Sequence, residues 1–186
     1  MLYNANKTKK IAYAALLTAI SIILTRVFGT TIPIGSALAL RLSFGEIPII
    51  LSGLLLGPVF GGATGLMADV IGYVINPMGG AYFPGFTVTA ILTGLIPGLF
   101  AVLRQRKEWT WSSLLGVIGL TNIIAGVLLN TYWLSIYFGS PFMAFLPPRL
   151  ITRLVLIPVY VVIINVLTKM IYRIVPKYSK QNKAAL

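Results

Sequence analysis

Residues 41–100 read RLSFGEIPIILSGLLLGPVFGGATGLMADVIGYVINPMGGAYFPGFTVTAILTGLIPGLF, and this stretch decides the fold. It is apolar almost throughout, rich in glycine, and carries three charges: Arg41, Glu46 and Asp69. In hydrocarbon, broken helices are tolerated only where protein or an internal cavity covers the freed backbone. Ionisable groups at that depth are costly and point to function by default. The stretch therefore reads as three membrane spans and an outer loop that together build much of a solute pocket.

The whole chain supports that reading. Of 186 residues, 58% are hydrophobic and 10% charged, against about 25% charged in a soluble domain. At roughly 20 residues per span there is room for about six. The fold class expected is all-α: one polytopic membrane domain, residues 1–186, with both termini cytoplasmic. The net charge of +12 does not point to nucleic acid. Eleven of the fifteen basic residues fall in three clusters between, at the ends of, or outside the apolar runs: Lys7, Lys9 and Lys10; Arg104, Arg106 and Lys107; Lys169, Arg173, Lys177, Lys180 and Lys183. That is the positive-inside pattern of cytoplasmic segments, and no polar domain is left to grip DNA or RNA. Cys and His are absent, which removes disulfides, thiol chemistry, the usual zinc ligands and the usual general base. No cofactor or metal is expected.

Taken in order, the apolar runs predict spans at about 11–28, 42–56, 59–75, 86–103, 112–137 and 148–174. The first run is long and lacks a cleavage signature, so it reads as a retained span. Ala15 and Ala19 lie one turn apart on it, a spacing that lets another helix approach closely. Residues 29–40 are uncharged and predict an outer loop or a segment folded over the bundle. Gly57-Pro58 predicts a tight turn. Gly53, Gly57, Gly61 and Gly65 recur every four residues across it, which predicts close packing of spans 2 and 3. Residues 76–85 form a second outer loop and 138–147 a third. Six spans with both ends inside is the count that puts all three basic clusters on one side.

Once those clusters are assigned, four basic residues remain: Arg26, Arg41, Arg149 and Arg153. All are arginine, and all fall near the outer ends of their spans. Arginine forks grip carboxylates bidentately and tolerate desolvation better than an ammonium does. An anionic solute fits them; snorkelling to lipid headgroups is the plainer account. Asp69 lies deep in span 3. It reads either as the structural partner of a residue such as Arg153, or as the acceptor for a pair of N–H donors on a heterocyclic ligand. Tyr73 and Asn76 follow on the same helix face. Tyr82, Phe83 and Trp133 offer flat surfaces for a ring, with Asn130 close to Trp133 in sequence; belt aromatics are the plainer reading of these rings. Glu46 reads mainly as a local partner for an outer arginine.

Residues 41–90, and the Ala15-x-x-x-Ala19 pair, resemble the substrate-binding S components of energy-coupling factor (ECF) vitamin transporters, most closely their folate-specific members. The resemblance covers nearly all of residues 8–175. It implies six helices, and docking through the alanine pair on a transmembrane coupling subunit served by two ATPases. It further implies a place in a prokaryotic cell membrane, and folate as ligand. No Walker motif occurs here, which agrees with energy supplied by partners. The binding residues expected are Arg26, Arg41, Asp69, Tyr73, Asn76, Tyr82, Phe83, Asn130, Trp133, Arg149 and Arg153. Three other readings compete. Another anionic vitamin or pterin-like precursor would keep the class and change the solute. An intramembrane enzyme lacks a catalytic set. A stand-alone channel or carrier would work without ATPase partners.

Overall fold

The structure, a computed structural model, describes residues 6–34, 38–77, 80–104 and 109–183, with side chains except those of 30–34, 38–42 and 172–183. Among them are six helices: α1 (Lys7–Arg26), α2 (Glu46–Leu56), α3 (Pro58–Ile75), α4 (Pro84–Leu103), α5 (Trp111–Phe138) and α6 (Phe142–Lys183). An antiparallel hairpin, β1 (Thr30–Ile34) and β2 (Leu38–Leu42), lies between α1 and α2.

Five of the six helices are long and apolar enough to cross a membrane, whereas α2 has only 11 residues. At 1.5 Å per residue it covers about 16 Å, half of a hydrocarbon core of about 30 Å. Such a helix can sit at membrane depth only inside protein. Every residue from Ile47 to Leu56 is indeed buried, against α1, α3, α4 and α6. The non-helical backbone leading into α2 is covered in the same way. The Ser21 hydroxyl on α1 donates to the Gly45 carbonyl (2.7 Å), and the Tyr160 hydroxyl on α6 donates to the Ser43 carbonyl (2.6 Å). Two carbonyls that lipid could not satisfy are thus satisfied by neighbouring helices. The core continues from Ile50, Leu54 and Leu56 to Leu114, Ile118, Tyr160, Val161 and Ile164. Buried threonines on the long helices turn their hydroxyls onto their own backbone. Thr93 donates to the Thr89 carbonyl, Thr121 to Val117 and Thr168 to Ile164.

The glycine series packs as expected across the turn, and it also recruits a third helix. Gly57 turns the chain with φ of 99°, a left-handed value that suits glycine. A Cβ on Gly61 would lie 2.6 Å from the Gly53 Cα, so α2 and α3 touch backbone to backbone. Gly53, Gly61 and Gly65 also abut α4, at the Gly94 and Ala90 carbonyls. A Cβ on Gly94 would in turn overlap the Gly61 carbonyl. Gly94→Ala is therefore expected to force α3 and α4 apart, at a cost of about 2 kcal/mol. Gly116→Ala, where nothing lies within 4 Å, is expected to leave stability near wild type. Thermal unfolding of the two purified variants checks the contrast.

Several expected boundaries move. Span 2 does not begin at 42: Arg41 and Leu42 belong to β2, and the helix starts at Glu46. Residues 30–34 and 38–40 of the segment expected as an outer loop or a cover belong to this hairpin, whose register pairs Arg41 with Thr31. The last span begins at Phe142 rather than 148, because the helix runs through Pro147 and Pro148; neighbouring helices make such prolines tolerable in a membrane. Only residues 139–141 then connect α5 to α6. The middle of α5 is wound as a π-helix over Asn122–Leu129, which sequence periodicity did not suggest.

Alternation of the helices sends the hairpin strands, residues 76–77 and 80–83, and the α5–α6 connection to one end. The opposite end carries Lys10 over the Phe60 ring and Arg104 over the Trp109 ring, each 5.8 Å from the ring centroid. Arg106 and Lys107 of the expected cytoplasmic turn lie outside the described residues, as do the side chains of Arg173, Lys177, Lys180 and Lys183.

Candidate functional site

The polar residues of the hairpin end fall into two clusters, and the two acids are divided between them. In the first, the guanidinium of Arg153 on α6 grips Glu46 at the start of α2 with both of its terminal nitrogens. Nη1 lies 2.6 Å from Oε2 and Nη2 lies 2.7 Å from Oε1. Nη1 also donates to the Asn122 Oδ1 at 2.7 Å. Asn122 opens the π-helical stretch and Gly126 lies inside it; a Cβ at 126 would fall 2.8 Å from the guanidinium carbon. The wide turn and the missing side chain together make room for a flat cation. Arg149, one turn earlier, donates to the Gly126 carbonyl at 3.4 Å. Arg149 and Arg153, one turn apart, thus both reach toward the π-helical stretch, and the reading of Glu46 as partner to an outer arginine holds.

The same pairing corrects the plainer account of Asp69. Arg153 is committed to Glu46, and the Asp69 carboxylate on α3 instead accepts the Thr87 hydroxyl of α4 (2.7 Å). Thr87 in turn shares a hydrogen bond with the Tyr82 hydroxyl at 2.7 Å. The Tyr82 ring lies 5.2 Å from that of Tyr73, one turn from Asp69. Arg26 crosses from α1 onto the same helix. It donates to the Asn76 carbonyl at 2.7 Å, lies over Gly72, and interacts electrostatically with Asp69. Asp69, Tyr73, Asn76, Tyr82 and Arg26 are thereby gathered in one place. Thr87 is the member sequence reasoning missed. A threonine one turn inside an apolar helix carries no signal until α3 and α4 are packed together.

Beside this cluster stands an aromatic wall. The Phe83 ring centroid is 5.6 Å from Phe86, 5.9 Å from Trp133 and 5.8 Å from Tyr137. Gly85 makes space for it: a Cβ there would lie 2.5 Å from both the Phe83 and the Trp133 rings. The Tyr137 hydroxyl accepts the Ala81 N–H at 2.8 Å and so ties residues 80–83 to α5. Among the described residues, the buried donors Arg26 Nε and Trp133 Nε1 find no acceptor, as is also true of the Thr131 hydroxyl. Buried donors are nearly always paired, so Arg26 Nε and Trp133 Nε1 mark places where an acceptor on a bound molecule would fit. Asn130 is half-buried and hydrogen-bonds to neither cluster among the described residues. The Arg41 side chain lies outside the description. Ala15 and Ala19 are exposed on α1, whose buried residues are Thr18 and Ser21.

This arrangement of helices and hairpin has known counterparts. Residues 9–168 match the family model of the ECF transporter substrate-specific component. The chain belongs to that family. Among relatives of this S component is the folate transporter FolT of Clostridium novyi (strain NT), 32% identical over 179 residues, which are 95% of this chain and 99% of the relative. The folate transporter FolT of Leuconostoc mesenteroides subsp. mesenteroides is 32% identical over 161 residues, 83% of this chain and 81% of the relative. Among solved structures, FolT bound with folic acid superposes on this S component with a TM-score of 0.73 at 32% identity, covering 89% of this chain and 94% of that one. The S component for biotin from an ECF-type transporter gives 0.65 at 27% identity, covering 94% of each. As a family member with five membrane-crossing helices and an enclosed sixth, the protein is a multi-pass membrane protein.

Proposed function

We propose that this S component binds folate at its hairpin end and delivers it inward on docking with a membrane coupling subunit and two ATPases, itself catalysing no reaction. The observation that carries the reading is the Asp69 carboxylate, set by Thr87 beside an aromatic wall, in a chain 32% identical to two folate transporters. The pterin of folate presents adjacent N–H donors that match a carboxylate. Its flat body suits Phe83 and Trp133, and the Trp133 Nε1 is a donor awaiting an acceptor. The two carboxylates of its glutamate tail call for cations. Arg149, Arg41 and Arg26 are the candidates nearest the hairpin end, while Arg153 is held by Glu46. On α1, the exposed Ala15 and Ala19 leave a smooth strip for close approach of the coupling subunit.

Equilibrium binding by the purified protein tests the ligand. Folate is expected to saturate at one molecule per chain, while thiamin, a cation, binds negligibly. Saturation by biotin or pantothenate, with folate inert, would assign the protein to another vitamin.

A further inference from the structure

Beyond the vitamin site, the far end of α6 carries a pattern that transport does not use. The membrane-crossing part of α6 is Phe142–Ile171, yet the helix continues to Lys183. Twelve further residues at 1.5 Å each project about 18 Å past the span. From Lys169 at the end of the span through this extension, Lys169, Arg173, Lys177, Lys180 and Lys183 recur at intervals of four, four, three and three. At about 100° per residue, those five positions fall on one face, within an arc of about 120°. Ile171, Ile174, Val175 and Tyr178 occupy positions on the opposite face. Pro176 lies just beyond the span. A proline inside a helix removes one backbone hydrogen bond and crowds the preceding turn, so the axis can bend there. A charged face, an apolar face and a bend at the end of a span are the parts of a helix that lies in a membrane interface.

We propose that residues 172–183 fold down onto the leaflet at the basic end of the bundle and bind its anionic lipid headgroups. The apolar positions enter the headgroup boundary, and the four cations of the segment, with Lys169 at the end of the span, attract phosphatidylglycerol-like lipids. Charge complementarity favours this occupant over a protein partner. The basic positions are spread evenly along the whole extension, as a continuous lipid surface requires. The cluster also lies at the end assigned to the cytoplasm, where anionic lipid attracts juxtamembrane cations.

Because the chain has no cysteine, Tyr178→Cys takes a single spin label in the otherwise intact protein. The label's accessibility to oxygen and to a water-soluble nickel complex reports its immersion in lipid nanodiscs. In discs of phosphatidylcholine with about one-third phosphatidylglycerol, the oxygen-to-nickel ratio is expected to be severalfold higher than in phosphatidylcholine alone. Salt at about 1 M, which shortens the screening length to about 3 Å, is expected to reverse the difference. The added substitutions K177Q/K180Q/K183Q should abolish it while folate binding stays unchanged. Equal ratios in the two lipids, or immersion that survives the triple replacement, would overturn the proposal. Protection that arises only on adding the coupling subunit and ATPases would assign the face to protein instead.

Discussion

Replacing Arg153 with Met is expected to destabilise the protein more than any change at the ligand cluster. The guanidinium makes three hydrogen bonds of 2.6–2.7 Å, two to Glu46 and one to Asn122. Its side chain is 11% exposed and that of Glu46 is 28% exposed. Removing one member of a buried pair leaves the other charge without compensation, which costs about 3–5 kcal/mol. The partial exposure of Glu46 puts the expected loss at the lower end, about 3 kcal/mol. Glu46→Gln should cost somewhat less, because the amide retains one acceptor for the arginine. The double variant E46M/R153M is expected to recover much of the loss, since two apolar side chains of similar length leave no charge behind. Asn122 would still donate to the Ile118 carbonyl at 2.9 Å. Thermal unfolding of R153M, E46M and E46M/R153M in one detergent measures the cycle; additive losses in the double variant would show that the pair does not act as a unit.

The second large effect is expected on affinity. Asp69→Asn keeps the shape of the side chain and its hydrogen bond from Thr87, yet turns one acceptor oxygen into a donor. A pterin that presents two adjacent N–H groups then meets one acceptor and one opposing N–H. Hydrogen bonds to charged groups contribute about 1.5–3 kcal/mol each. Losing one and confronting its donor should cost about 3 kcal/mol, roughly a hundredfold in dissociation constant. Tyr82→Phe, which removes only the hydroxyl behind Thr87, should cost severalfold at most. Isothermal titration with folate measures both; an Asp69→Asn protein that binds folate as tightly as wild type would take Asp69 out of the site.

The two acids show how much the sequence discloses. That Glu46 and Asp69 matter follows from hydrophobicity alone, since a carboxylate in an apolar run needs a reason to be there. Which arginine meets which acid does not follow. Glu46 and Arg153 are 107 positions apart, and their meeting depends on the π-helical turn at Asn122 and on Gly126, neither of which has a periodic signature. The spans were legible because bilayer thickness sets their length. The exception is α2, whose expected run reaches back to Leu42 because the apolar end of a strand and an apolar helix look alike to hydropathy. The glycines at 53, 61 and 65 announce close packing, but their neighbours on α4, Gly94 for the first two and Ala90 for the third, are identified only once α4 lies against them. Tyr73, Asn76 and Asp69 shared a helix face by spacing. Thr87 joined them through tertiary packing.

The account assigns Glu46 to holding the bundle together and Asp69 to meeting the ligand, and one measurement separates those roles: thermal unfolding of wild type, E46Q and D69N with and without saturating folate. Wild type should melt at the highest temperature and shift upward with folate. E46Q should start lower and still shift upward, and D69N should start near wild type and shift little. A D69N protein stabilised by folate as strongly as wild type would contradict the assignment.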